Sequence, residues 1–173
     1  MIPDIYLLIR VGTLSMALAA CAAPAQRQAT VEIDPSLTAV ERSTVVAGLA
    51  EWQSATRDAF TVDFAPFAPG TAGPGTIVVV RDDGLTVRHE CGHTGAGEGG
   101  STVVRLNAAP QCAGYLARSV RHELGHAFGL RFPRCADPLH YCGPCPSAMK
   151  VDVADDSDAV EAVDVSAFES ANP

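Results

Sequence analysis

An α+β fold is expected from this chain, and three observations predict it. Apolar residues recur at three- and four-residue steps from 37 to 59. Short β-rich runs separated by turn residues fill 60–107. A second helical pattern covers 113–130 and stops at a glycine. The length of 173 residues suits a single domain, and a hydrophobic content of 47% supplies a core and excludes a disordered composition.

The elements follow in order. Asp34-Pro35 reads as a helix start, an N-cap followed by a proline in the first turn. Leu37, Val40, Thr44 or Val45, Leu49, Trp52, Ala55 and Ala59 then line one face, with Trp52 a core residue of that face. Residues 60–64 alternate as a strand does, and 65–75 is a Pro/Gly-rich loop. The continuous apolar run at 76–81 predicts a buried central strand. Asp82-Asp83-Gly84 turns the chain, 85–90 alternates as a further strand, 91–100 reads as a glycine-rich connection, and 101–107 as the last strand. Gly129 marks the end of the helix over 113–130, since a left-handed stop suits glycine, and Pro133 blocks any continuation. Residues 134–146 form an irregular loop with three cysteines. Val160, Val163 and Phe168 place a closing helix within 155–171.

The chemistry is concentrated in Val120-Arg-His-Glu-Leu-Gly-His126. On a helix His122 and His126 share a face, so two imidazoles converge on one point, the arrangement that holds Zn²⁺. Glu123 sits beside that point as a candidate general base for a water whose pKa zinc lowers towards about 7. His89, Cys91 and His93 alternate and make a second metal site conceivable, but a polar loop with one disulfide cysteine accounts for them more simply. Arg118 and Arg121 read as solvated or paired rather than catalytic.

Residues 5–20 are apolar, interrupted by Arg10, and too short for a membrane span, which suits an export signal. Leu18-Ala19-Ala20-Cys21 resembles the lipobox of bacterial lipoproteins. That resemblance implies a signal peptide over 1–20, lipidation of Cys21, a flexible tether over 21–30 and a domain over 31–173. The protein would then be an exported lipoprotein, anchored in a membrane and facing the periplasm or cell surface. An oxidising compartment favours disulfides: Cys91 with Cys112, and Cys135 with Cys142 or Cys145, are the expected pairings.

The whole pattern resembles the metzincin clan of zinc peptidases, whose motif is H-E-x-x-H-x-x-G-x-x-H followed by a methionine turn. His122, Glu123, His126 and Gly129 match, and Ser147-Ala148-Met149 resembles the methionine turn. The resemblance implies a metzincin-like zincin fold: a mostly antiparallel twisted sheet, a long N-terminal helix, an active-site helix and a C-terminal helix. It also implies Zn²⁺ as cofactor and peptide hydrolysis as the reaction. The chain departs from the motif at Phe132, where the third zinc ligand would fall and where a phenyl ring cannot ligate. His140 is the first candidate to replace it, then Asp137, then Cys135. The substrate is then a peptide or protein lying extended along a sheet edge, for which 101–107 is expected, and the chain acts as a monomer. A net charge of −8 argues against nucleic acid as a partner. Two other functions stay open: an inactive lipoprotein that serves as a binding scaffold, and a metal-binding or redox module on the Cys142-Gly-Pro-Cys145 loop.

Overall fold

The computed structural model describes residues 27–57, 59–88, 90–107, 109–130, 160 and 162–171. The described strands and α-helices run β1 (Arg27–Ile33), α1 (Ala39–Ala55), β2 (Phe60–Ala65), β3 (Thr76–Arg81), β4 (Gly92–Ala96), β5 (Thr102–Leu106), α2 (Leu116–Ala127) and α3 (Ala162–Ala171). The strands form one sheet in the order β2-β1-β3-β5-β4. β1 is parallel to β2 and β3, β3 is parallel to β5, and β4 runs antiparallel to β5. The α+β class stands, but the sheet is mixed and mostly parallel rather than mostly antiparallel. The reason is connectivity: α1 is a crossover that returns the chain in the direction of β1, so β1 and β2 pair in parallel. β3, predicted to be central and buried, is the middle strand, with Val79 fully buried.

Three local expectations change. β1 begins at Arg27, so residues 27–30 of the expected tether belong to the sheet. The first helix is capped by Thr38, not Asp34. Asp34 instead closes a turn, accepting the Ser36 N–H on its carboxylate at 2.7 Å. Thr38 and Glu41 make a reciprocal capping box, the Thr38 hydroxyl taking the Glu41 N–H and the Glu41 carboxylate taking the Thr38 N–H. The helix phase follows that cap, which buries Glu41 and leaves Val40 70% exposed. Third, residues 83–88 form a 3-10 helix with Leu85 buried, not a strand, and the strand lies in the stretch read as a glycine-rich connection, at Gly92–Ala96. Strand formation here is decided by a partner rather than by propensity. β5 offers a full antiparallel ladder, and the Cys91–Cys112 disulfide fixes the entry to β4. That disulfide, expected from the sequence, links residues 21 apart, a closure that stabilises by about 3 kcal/mol. Asn107 adds to the anchorage, donating from its backbone to the Cys91 carbonyl at 3.0 Å and from its side chain to the Glu90 carbonyl at 2.8 Å.

The core lies between the sheet and the helices, where Val31, Ile77, Val79 and Val104 meet Val45, Leu49, Val120 and Leu124. α1 and α2 cross at Gly48. A Cβ there would come within 2.7 Å of Val120 Cγ1, so the absence of a side chain lets the two helices approach. Trp52, fully buried as expected, donates its indole N–H to the Arg121 carbonyl at 3.0 Å and so pins α1 to the middle of α2. Phe128 at the end of α2 packs on Phe60, Trp52 and Phe168, with ring centroids 4.6, 5.8 and 5.9 Å away. Phe168 thereby seats α3 against the helix that carries the motif. Among the described residues no helix is long and apolar enough to cross a membrane.

Candidate active site

Helix α2 holds His122, Glu123 and His126, and its termination sets the histidine geometry. Gly129 takes φ +88°, and the chain reverses there. The Gly129 N–H bonds the His126 carbonyl at 2.9 Å and the Leu130 N–H bonds the Gly125 carbonyl at 3.0 Å, the two bonds of a Schellman turn. Leu130 is buried beneath the turn, and its carbonyl lies 2.8 Å from His126 Nδ1. A carbonyl only accepts, so Nδ1 carries the proton and the lone pair of a neutral His126 is on Nε2. The role of Gly129 is therefore specific: its turn supplies the acceptor that orients an imidazole. Alanine at Gly129 meets no atom within 4 Å but must hold a left-handed backbone. We expect Gly129→Ala to lower stability by about 1–2 kcal/mol and to weaken metal binding. Unfolding midpoints and zinc titration check both, and an unchanged midpoint would sink the backbone argument.

The rings of His122 and His126 lie 4.7 Å apart by centroid, at 88° to each other, and both residues are half-buried. They line a cleft of about 1100 Å³ together with Glu123 and residues of β4. Glu123 is buried, and β4 holds it. The Thr94 hydroxyl lies 2.7 Å from Glu123 Oε2 and 2.9 Å from the Glu123 carbonyl oxygen. Gly92 lies flat against the same side chain: a Cβ there would stand 2.6 Å from Glu123 Cγ. Gly92 and Thr94 were not among the residues the sequence singles out. The signal available was the Gly92-x-Thr94-x-Ala96 alternation, three small residues on one strand face, which a closely packed helix demands.

Burial raises the Glu123 carboxyl above the ordinary glutamate value of 4.5, and the neighbouring Glu90 adds to the rise. The Thr94 hydroxyl and His93 oppose it. With the folded value above the unfolded one, the folded protein binds more protons between the two, so stability falls as pH rises through that window. For the metal-free protein we expect Glu123→Gln to be stabilising at pH 7, the difference closing as pH falls to 4.5 and below. Urea unfolding of both proteins from pH 4 to 8 tests this; a difference that does not change with pH would refute it.

Of the residues read as functional, His122, Glu123, His126 and Gly129 are brought together. His140, Met149, Cys21, Phe132, Asp137, Cys135, Cys142, Cys145 and His89 lie outside the described residues. Of the second conceivable metal site, Cys91 is taken up in a disulfide, as the simpler account expects, and His93 faces Glu90, with Nδ1 3.7 Å from Oε2. The strand at 101–107 is not the sheet edge: β5 lies between β3 and β4, and β4 is the edge strand beside the site. Arg121 is paired, as expected, with Glu51 at 3.6 Å.

The donor set fits zinc. Two imidazoles one helical turn apart, one with its tautomer fixed by a carbonyl, are borderline-soft ligands of the kind zinc takes. Among the described residues no group of three His, Cys, Asp or Glu side chains is placed to hold a metal.

No family model matches the sequence, and no curated protein matches it. Among solved structures, the chain is similar to high choriolytic enzyme 1, a hatching enzyme zinc-protease from the medaka fish Oryzias latipes. The identity is 19% and the TM-score 0.39, over 58% of this chain and 42% of that one. The chain thus spans less than half the length of that structure, and the likeness is too slight to carry an argument about activity.

Proposed function

We propose that this protein is a zinc-dependent endopeptidase. The observation that carries the reading is the placement of Glu123: a buried carboxylate in the wall of the cleft, next to two converging imidazoles and against an edge strand. His122 and His126 would hold the ion, with His140 the first candidate for the third donor. When bound, zinc supplies Lewis acidity, lowering the pKa of water towards neutrality and polarising a carbonyl. Glu123 takes the proton of the attacking water and returns it to the leaving amine. β4 orients an extended peptide by backbone hydrogen bonds along the open edge of the sheet. On the lipobox reading, Cys21 would keep this activity at a membrane surface.

Phe132 favours a second reading, a binding scaffold that has lost effective zinc chemistry. Zinc content distinguishes the two. The peptidase reading expects one zinc per chain in the wild type, reduced in His122→Ala, His126→Ala and His140→Ala. A folded, zinc-supplemented wild type that binds no metal would overturn it.

A further inference from the structure

We propose that Thr94 is a positioning residue for Glu123, and that it and Gly92 together form a seat on β4 that fixes the carboxylate in one rotamer. The inference rests on the peptidase reading of the site and adds to it a determinant of turnover in a different element from the motif helix.

Both contacts of the Thr94 hydroxyl are to the same residue. It lies 2.9 Å from the backbone oxygen of Glu123 and 2.7 Å from its Oε2. A hydroxyl bridging the main chain and the far end of one side chain closes a ring through Cα, Cβ, Cγ and Cδ, and that ring admits few combinations of the three side-chain torsions. Gly92 removes the remaining freedom from the other side, since a Cβ there would lie 2.6 Å from Glu123 Cγ, 2.9 Å from Oε1 and 3.1 Å from Cδ. Oε2 is thus held by the hydroxyl, and Oε1 occupies space that any side chain at position 92 would take.

The register explains why the seat acts on turnover rather than on substrate affinity. Thr94 pairs with Val104, a core residue, and so sits on the helix-facing side of β4. A peptide added beside β4 would meet the strand's backbone, while the Thr94 side chain lies in the plane's other direction, against α2. β4 itself is fixed at its start by the Cys91–Cys112 disulfide and by Asn107, so the seat has a rigid frame.

The experiment compares wild type, Thr94→Val, Thr94→Ser and Gly92→Ala in the zinc-loaded full chain, by kcat and KM on a fluorogenic peptide and by zinc content. Thr94→Val keeps the shape and removes the hydroxyl; it should lower kcat by about 10- to 100-fold with KM and zinc content unchanged. Thr94→Ser should restore most of kcat. Gly92→Ala, which displaces the carboxylate by a different route, should lower kcat with KM again unmoved. Wild-type kcat in Thr94→Val overturns the proposal, as does a serine variant no faster than the valine one. A second measurement does not depend on activity. In metal-free protein, the urea midpoints of Thr94→Val, Glu123→Ala and the double variant should be non-additive, and additive shifts overturn the contact. A wild type that hydrolyses no peptide defeats the peptidase reading instead, and the midpoints then still decide whether Thr94 holds Glu123.

Discussion

Glu123→Gln should bind zinc as the wild type does and lose peptide hydrolysis by a factor of about 10²–10⁴. Glutamine has nearly the volume of glutamate and retains an oxygen to accept the Thr94 hydroxyl at the position where it now lies 2.7 Å away. The Gly92 contact is preserved for the same reason. What the change removes is the capacity to take up and return a proton. The imidazoles of His122 and His126 are untouched, and the Leu130 carbonyl still orients His126. The measurement pairs zinc content with kcat/KM on one preparation. Retained zinc with lost turnover supports Glu123 as the base. Full turnover would remove it from that role, and lost zinc would mean that the carboxylate holds the site together instead.

Trp52→Ala should cost about 3–5 kcal/mol of folding stability, a large share of the roughly 5–15 kcal/mol available to a domain. The indole is completely buried, packs edge-on to Phe128 at 5.8 Å and donates to the Arg121 carbonyl. Its loss leaves a cavity between α1 and α2, at a crossing that Gly48 has already drawn tight against Val120. Trp52→Phe separates the contributions: the ring packing is largely kept and only the hydrogen bond, worth about 1 kcal/mol, is lost. Urea unfolding of the three proteins reads both numbers. A Trp52→Ala loss below about 1 kcal/mol would mean that the two helices are held by something other than this residue. Because Arg121 directly precedes His122, the alanine variant should also weaken zinc binding, whereas Glu123→Gln should not.

These two predictions stand on different kinds of legibility. The motif residues could be read from the chain because a helix converts sequence spacing into spatial proximity: residues four apart must share a face. The glycine stop was legible for the same local reason, since a left-handed turn suits glycine, and the structure shows that turn at Gly129 with φ +88°. β3 was legible because a continuous apolar run has to be buried on both faces. The capping box at Thr38 and Glu41 was present in the sequence as well, but Asp34-Pro35 offered a competing start of similar appearance, and the turn bond from Asp34 to the Ser36 N–H decided between them.

β4 was not legible. Its residues, Gly-His-Thr-Gly-Ala, have little strand propensity, and nothing local favours extension. The strand exists because β5 pairs with it, because a disulfide and Asn107 hold its entry, and because α2 presses a carboxylate onto it. The parallel direction of β1, β2 and β3 was hidden for a related reason: strand direction depends on how crossovers pack, which no single strand records.

The amino-acid sequence by itself determined the helix that carries two imidazoles and an acid on neighbouring positions, and the glycine that ends it, because backbone periodicity and steric limits act within a few residues. Only the tertiary structure decided which strand lies at the sheet edge beside that helix and which side chains hold the acid in place. Thr94 and Glu123 are 29 residues apart, and a contact over that distance is selected by the packing of the whole sheet against α2 rather than by any local preference.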